Sequence, residues 1–388
     1  MQQLNSSHPA MACISNFSLA DIETYIKSIG EHNYRSKQIF TSLYDKKNIA
    51  LHSFDELTVI PKYIREQLSE DFGPHFRSVI LKNKQVSKDG TCKMLFSLLD
   101  DTAIETVLIP SELVNAEGEP KRKTLCISTQ AGCALGCAFC ATATLKLRRN
   151  LAVSEIVDQF MAAREICDTQ ITNIVFMGMG EPLLNYDNVM KAVEILTDKE
   201  HGLMNSKHIT LSTAGVIPGI IKMADQQSSI KLALSLHATT DAQRISIMPI
   251  AKKYSLRELG DALEYYYRKT KNPVTYEYIL FQGVNDSEAD AKRLAKITRR
   301  IPSKVNVIPF HEIEFTSPTG ISATLKPAPE QTFLAFIQSL KAKGVMVMIR
   351  SSSGLDIDAA CGQLAFSNNN PPMSFFEHTD SMPSQALE

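Results

Sequence analysis

Apolar residues recur at helical spacing from Leu19 to Phe72. Ser18 stands just before Leu19, Ile22 and Tyr25-Ile26, the arrangement of a capped amphipathic helix. Ser36 leads in the same way into Ile39-Phe40 and Leu43-Tyr44, and Pro61 breaks the pattern before a further short helix over residues 63–72. Together these predict a small helical domain over residues 18–75, within the usual size range of a domain. Residues 1–17 precede it. The first thirteen carry no Lys, Arg, Asp or Glu and read as a flexible terminus.

From Ser78 the period shortens to two. Residues 79–81, 93–99 and 103–109 read as strands, with turns at Lys88-Asp89-Gly90 and Asp100-Asp101. A small antiparallel sheet with a polar link is expected over residues 76–120. After it, β-rich runs (124–128, 173–177, 208–212, 231–236, 274–280, 304–308) alternate with helical ones (154–166, 188–197, 217–225, 256–269, 288–299). A last helix over 330–343 and a strand over 345–349 follow. Such alternation predicts an α/β domain with a parallel sheet and crossover helices over residues 121–350. Six units fall short of a closed eight-stranded barrel and suit a partial (β/α)6 TIM-like one. Residues 351–366 read as a loop. Residues 367–388, with Asn368-Asn369-Asn370-Pro371-Pro372, read as a disordered tail.

Composition narrows the classes. The 388 residues are 44% hydrophobic and 21% charged, which excludes a disordered or fibrous chain. The longest apolar runs are strand-sized, so no helix is expected to span a membrane. Residues 1–17 lack the basic start and apolar stretch of a secretory signal, so a reducing cytoplasm is expected. Charge balances overall, at 41 Lys+Arg against 42 Asp+Glu, but not locally. Between residues 121 and 150 stand Lys121, Arg122, Lys123, Lys146, Arg148 and Arg149, with no acid. Such a segment can attract phosphate, although a short charge run is usually only a solvated face.

Three of the eight cysteines fall within eight residues, as Cys133-Ala-Leu-Gly-Cys137-Ala-Phe-Cys140, directly after the first parallel strand. Thiolates this close on one loop can converge on a metal centre. A structural zinc site wants four ligands, and no fourth Cys or His lies close by. A [4Fe–4S] cluster held by three thiolates leaves one iron open to bind a small molecule. The Cys-x3-Cys-x2-Cys spacing, with Phe139 before its last Cys, resembles the radical S-adenosylmethionine (SAM) superfamily.

In parallel α/β folds, ligands bind at the carboxyl ends of strands. Those ends carry Gly180 and Glu181, Ser212, Ser235-Leu236-His237, and Pro309-Phe310-His311. Glycine lets backbone approach a ligand, and Glu181 can accept from an ammonium group. Taken singly these are tight turns, helix caps or structural histidines; four polar strand ends beside one cysteine cluster favour a shared pocket. Cys126 lies in the first strand and Cys361 in a late loop, and an inert buried thiol is the commonest fate of a free Cys.

Longer strings carry a closer resemblance. Cys126-Ile-Ser-Thr-Gln-Ala-Gly-Cys133, Met177-Gly-Met-Gly-Glu-Pro-Leu-Leu-Asn185 and Ala359-Ala-Cys361-Gly-Gln-Leu-Ala365 resemble the RlmN family of RNA methyltransferases. The likeness runs from about Leu19 to Ala365 and includes Tyr34-Arg35-Ser36-Lys37-Gln38-Ile39 in the helical domain. It implies methylation of adenosine C2 in 23S rRNA near the peptidyl-transferase centre, and of the adenosine 3′ of the tRNA anticodon. It further implies a radical SAM barrel, a [4Fe–4S] cluster on Cys133, Cys137 and Cys140, and SAM lined by Gly180, Glu181, Ser212, Ser235, Leu236 (through its backbone) and His237. Cys361 would carry the methyl group, Glu105 would act as base, and Cys126 would release product through a transient disulfide. Without the resemblance Glu105 reads as a solvated strand residue. His311 stands where some members place a SAM-contacting Asn. The helical domain and basic runs would hold RNA, residues 351–366 would be the catalytic cysteine loop, and a donor such as flavodoxin would supply electrons to a monomeric enzyme. Cfr-like methylation at C8 is the nearest other reading. A zinc-stabilised, non-catalytic RNA-binding protein is the reading from another class.

Overall fold

The protein is described by a computed structural model covering residues 13–44, 51–73, 76–199, 203–350 and 352–365. The expected tail over 367–388 and most of the expected flexible terminus lie outside the described residues.

The helical domain forms as the periodicity predicts, with α1 (Leu19–Ser28), α2 (Tyr34–Tyr44) and α3 (Lys62–Phe72). Ser18 closes a capping box: its hydroxyl accepts from the Asp21 N–H, and the Asp21 carboxylate accepts from the Ser18 N–H at 2.8 Å. Residues 13–17 depart from the expected loose terminus. Cys13 and Ile14 are buried, the Ser15 hydroxyl donates to Asp158, and the Asn16 side chain accepts from the Ser154 N–H at 2.7 Å. This end of the charge-poor stretch lacks charge because it packs, not because it is free.

Among the described residues, ten of the twelve strands form one sheet. β1 (Val79–Val86), β2 (Cys92–Leu98) and β3 (Ala103–Pro110) are antiparallel, as expected, but they do not form a separate sheet. β3 pairs antiparallel with β4 (Lys123–Cys126) and so extends the parallel sheet by three strands. A two-stranded clip, β5 (Gln130–Ala131) with β6 (Arg149–Asn150), brackets the cysteine cluster. From β4 the order runs in parallel through β7 (Asn173–Phe176), β8 (Ile209–Thr213), β9 (Lys231–Ser235), β10 (Val274–Leu280), β11 (Ser303–Pro309) and β12 (Val347–Ile349). The crossovers carry α4 (Val153–Ile166), α5 (Tyr186–Leu196), α6 (Ile217–Asp225), α7 (Asp241–Ile247), α8 (Leu256–Thr270), α9 (Glu288–Thr298) and α10 (Glu330–Ala342). The sequence pattern does not foretell α7, which is only seven residues long and starts at a Thr240 cap.

Alternation along the parallel strands separates two faces. Leu125, Ile174, Leu211, Leu232, Tyr276 and Val305 point at the helices and are wholly buried or nearly so in one continuous core. Their neighbours Thr124, Asn173, Thr210, Lys231, Thr275 and Lys304 point the other way, into a cavity. A closed barrel of this kind fills its interior with Val, Ile and Leu; this open one is polar and hollow. Among the described residues no helix is long and apolar enough to cross a membrane.

Candidate active site

The cysteine loop lies past the carboxyl end of β4. The Ala138 N–H donates to the Ile247 carbonyl at 2.9 Å, which ties the loop to the end of α7. Cys133, Cys137 and Cys140 line a cavity of about 140 Å³ together with Gly180, Glu181, Ser212, Ser235, His237 and Cys361. The structure therefore brings most of the sequence-predicted site residues to one place. Burial pushes the Cys133 thiol up to about 11. It also raises Cys137 and Cys140, and Cys137 is raised further by its two neighbours. Three mutually repelling thiolates need a cationic centre to deprotonate together.

The rest of the pocket is fixed mainly by backbone. Gly180 has φ +97°, and a Cβ there would lie 2.5 Å from the Gln130 Cβ. The Glu181 carboxylate accepts from the Leu183 N–H at 3.0 Å and the Ala214 N–H at 2.7 Å. Burial still outweighs those donors and pushes its pKa up to about 7. The Ser212 and Ser235 hydroxyls are 3.4 Å apart. His237 Nδ1 accepts from the Ile279 N–H at 3.1 Å, which leaves the proton on Nε2. Burial lowers its pKa to about 3, so the ring is neutral. Leu236 is turned away: its N–H donates to the Glu277 carbonyl at 3.1 Å and its own carbonyl accepts from Arg244 at 3.3 Å.

Two arginines escape a reading of the sequence. Arg244, on α7, is buried and donates to the carbonyls of Ala214 (2.6 Å) and Ser235 (3.2 Å), binding two strand ends together. Its Nη1 has no hydrogen-bond partner among the described residues, and its charge acts on Cys137. Arg350, just after β12, faces Cys361, Glu277 and Cys126, and its Nη1 donates to the Met177 sulfur at 3.4 Å. Three thiols with an orphaned guanidinium donor beside them fit an anionic iron–sulfur centre.

A second cavity of about 470 Å³ adjoins the first, and Met177, Glu277, Ile308, Arg350 and Cys361 line both. Cys126 also lines the larger one. Burial and the nearby Cys361 push the Cys126 thiol up to about 12, against the pull of Arg350. The Cys361 loop is held at both ends. On one side the Asp89 carboxylate accepts from the Gly354 N–H at 2.8 Å, the Ser87 hydroxyl donates to Asp356, and Lys93 donates to the Asp358 carbonyl at 3.3 Å. On the other the Ala141 N–H donates to the Gly362 carbonyl at 2.6 Å, and the Thr142 hydroxyl to the Leu364 carbonyl at 2.7 Å. Gly354, at φ +68°, sits where a Cβ would meet Thr91 and Ala359 at 2.8 Å.

Besides Leu236, two expected site residues stand elsewhere. Glu105 is not a solvated strand residue: it is fully buried on β3 and ion-paired with Lys93 at 3.7 Å. It shares a sheet face with Val107 and Cys126 but does not line either cavity. His311 lines the larger cavity rather than the smaller and is bonded to the Ser352 hydroxyl at 2.6 Å. Of the basic runs, Arg149 is taken up by Asp100 (2.6 Å) and Glu155 (2.7 Å), and Lys123 by Glu119 (3.3 Å).

The comparisons with known proteins match this arrangement. Residues 127–295 match the radical SAM superfamily, and residues 14–72 match the ribosomal RNA large subunit methyltransferase N-terminal domain. A probable dual-specificity RNA methyltransferase RlmN from Flavobacterium johnsoniae is 43% identical over 86% of this chain and 90% of its own. The dual-specificity RNA methyltransferase RlmN of Geotalea uraniireducens is 41% identical, over 90% of this chain and 96% of its own. The chain belongs to the RlmN family. The crystal structure of a radical SAM methyltransferase from Sphaerobacter thermophilus matches the fold with a TM-score of 0.81 at 37% identity, covering 91% of this chain and 98% of the other. An RlmN-family protein is a SAM-dependent radical RNA methyltransferase, and superfamily membership implies a [4Fe–4S] cluster and SAM as cofactors. Neither Cfr-like C8 chemistry nor a non-catalytic zinc module is favoured beside these matches.

Proposed function

We propose that this enzyme methylates C2 of adenosine in 23S rRNA and of the adenosine 3′ of the tRNA anticodon, with Cys361 as methyl carrier and Cys126 as resolving thiol. The observation that carries the reading is Cys361 at the junction of two cavities, one lined by the three clustered cysteines and the other, a chamber along the strands, lined by Cys126 as well.

Cys133, Cys137 and Cys140 hold the cluster, with Arg244 as a donor toward it, and Gly180, Glu181, Ser212, Ser235, Leu236 and His237 are the residues carried over for SAM. When bound, cluster and SAM supply the electron, the methyl group and the hydrogen-abstracting radical. The Cys361 sulfur takes the methyl group, forming one C–S bond as the SAM sulfonium loses another. Arg350 faces that sulfur. After loss of one hydrogen, the carbon on Cys361 would bond to C2 of the adenine, and the unpaired electron left on the ring would return to the cluster that Cys133, Cys137 and Cys140 would hold. Glu105 takes the C2 proton once Lys93 and Asp358 give way, and Cys126 attacks the Cys361 sulfur. That attack makes a disulfide and breaks the S–C bond, and the proton given up by Cys126 passes to the freed carbon and completes the methyl group on the RNA. The transient disulfide suits a reducing cytoplasm.

Residues 18–75 act as an RNA-binding accessory domain and residues 121–350 as the radical SAM barrel. Residues 76–120 are a β segment with its linker, and residues 351–366 are the catalytic loop. His311 steadies the loop through Ser352 in place of a direct SAM contact. A flavodoxin-like donor serves a monomer. The test is nucleoside mass spectrometry of a 23S rRNA fragment and a tRNA after anaerobic reaction with reductant and SAM. The expected product is 2-methyladenosine in both; 8-methyladenosine, or methylation surviving Cys361→Ala, overturns the reading.

A further inference from the structure

We propose that the larger cavity is the seat of the target adenine. The nucleotide enters base-first at the amino ends of the parallel strands, Arg122, Lys231 and Lys304 hold its phosphates, and Glu277 grips the N6–N1 edge of the ring. This rests on the RNA-methylating reading and adds the route, the recognising group and a reason for attack at C2.

The cavity lining runs the length of the strands, from Cys361 and Arg350 at the carboxyl ends to Lys231, Thr275 and Lys304 at the amino ends. A volume of about 470 Å³ is ligand-sized. Chemistry on a base inside folded RNA requires that base to leave its stack and enter a pocket. The rim carries what such a nucleotide needs. Arg122, Lys231 and Lys304 form no ion pair among the described residues, unlike Arg149, Arg293 and Arg300 elsewhere in the barrel. Burial lowers the pKa of Lys231, and Lys304 and Arg122 lie close enough to lower it further, so three like charges face one opening. The acids on the cavity wall are Glu112 near the rim and Glu277 within. Leu113, Met348 and Ile349 also line the cavity while exposed, an apolar lip on which an unstacked base can slide.

Glu277 is the second, independent observation. It is buried, with 3% of its surface exposed, and points from the middle of β10 into the cavity. Asn306 donates to one carboxylate oxygen at 2.9 Å, and the other, Oε2, has no hydrogen-bond partner among the described residues. A buried carboxylate oxygen without a partner is costly unless a ligand supplies one. Adenine offers an N6 amino donor beside its N1 acceptor, a pair that a carboxyl group can match. Glu277 lines both cavities, as Cys361 does, so the edge it grips lies beside the carrier thiol. C2 adjoins N1 on that edge, whereas C8 lies across the ring.

The experiment has two arms on purified enzyme. In the first, binding of a fluorescent tRNA anticodon stem-loop is followed against salt by anisotropy, without SAM. An R122Q/K231Q/K304Q variant should lower the log–log salt slope by roughly 2–3, from three lost phosphate contacts at about 0.7–0.9 each, while K231R/K304R keeps it. In the second, stem-loops bearing adenosine or purine riboside at the target position are compared. Wild-type enzyme should prefer adenosine by about 10- to 100-fold, and E277A, which removes both oxygens and has its thermal midpoint as fold control, should lose that preference. An unchanged salt slope, or undiminished discrimination in E277A, overturns the proposal. A failure of the RNA-methylating reading is visible separately, as absence of 2-methyladenosine from the wild-type reaction.

Discussion

The two faces of the parallel strands differ more than any two domains of the molecule. On the helix side Phe176, Leu232, Tyr276 and Val305 are buried in a continuous apolar core. On the chamber side, one residue along the same strands, stand Val175, Lys231, Thr275 and Lys304. The outer face carries the fold, and the inner face is free of packing duty and available for chemistry. Adjacent residues should therefore fail in different ways when changed.

The largest effect expected is chemical: Cys126→Ala should stall with RNA covalently attached to protein, seen as a shifted band, with unfolding unaltered. Next is the outer face, where Phe176→Ala should cost about 3–5 kcal/mol in denaturant unfolding. Thr275→Ala on the inner face should cost under about 1 kcal/mol by the same measurement. The loop anchorage comes third. Asp89→Ala removes the acceptor for the Gly354 N–H and should slow methylation about 10-fold, the equivalent of roughly one hydrogen bond, without moving the thermal midpoint. A further test is in pH. Burial holds the pKa of His237 at about 3 in the folded chain, against an ordinary 6.5, so the unfolded chain takes up its proton first. The contribution of neutral His237 is complete above about 6.5 and is lost as pH falls toward 3. The thermal midpoint should drop over that window, and less steeply in His237→Gln.

Much of this was legible in the residues. Ser18 with its following apolar spacing marked the cap of α1, and the spacing of Cys133, Cys137 and Cys140 marked the cluster loop. The roles of Glu105, Cys126 and Cys361 came from family likeness, since nothing in a lone strand glutamate or loop cysteine announces chemistry. The hollow barrel carries a signal in the strand sequences. Parallel strands covered on both faces run continuously hydrophobic, yet Ser303-Lys304-Val305-Asn306-Val307 and Val274-Thr275-Tyr276-Glu277-Tyr278 alternate. That alternation marks one face as wet. Arg244 and Arg350 were hidden for another reason: isolated arginines are overwhelmingly surface residues, and only the tertiary fold turns these two inward. The union of β1–β3 with the barrel sheet was equally out of reach, because strand pairing across the polar link leaves no local trace.

The polar lining also sets the enzyme's response to temperature. Chamber walls such as Thr275, Asn306 and Lys304 already meet solvent in the native state, so unfolding changes their hydration little. The heat-capacity increment comes from newly wetted apolar surface, which here is supplied mainly by the outer face and the helices. Residue for residue, the stability curve should then be flatter than that of a barrel with a packed interior.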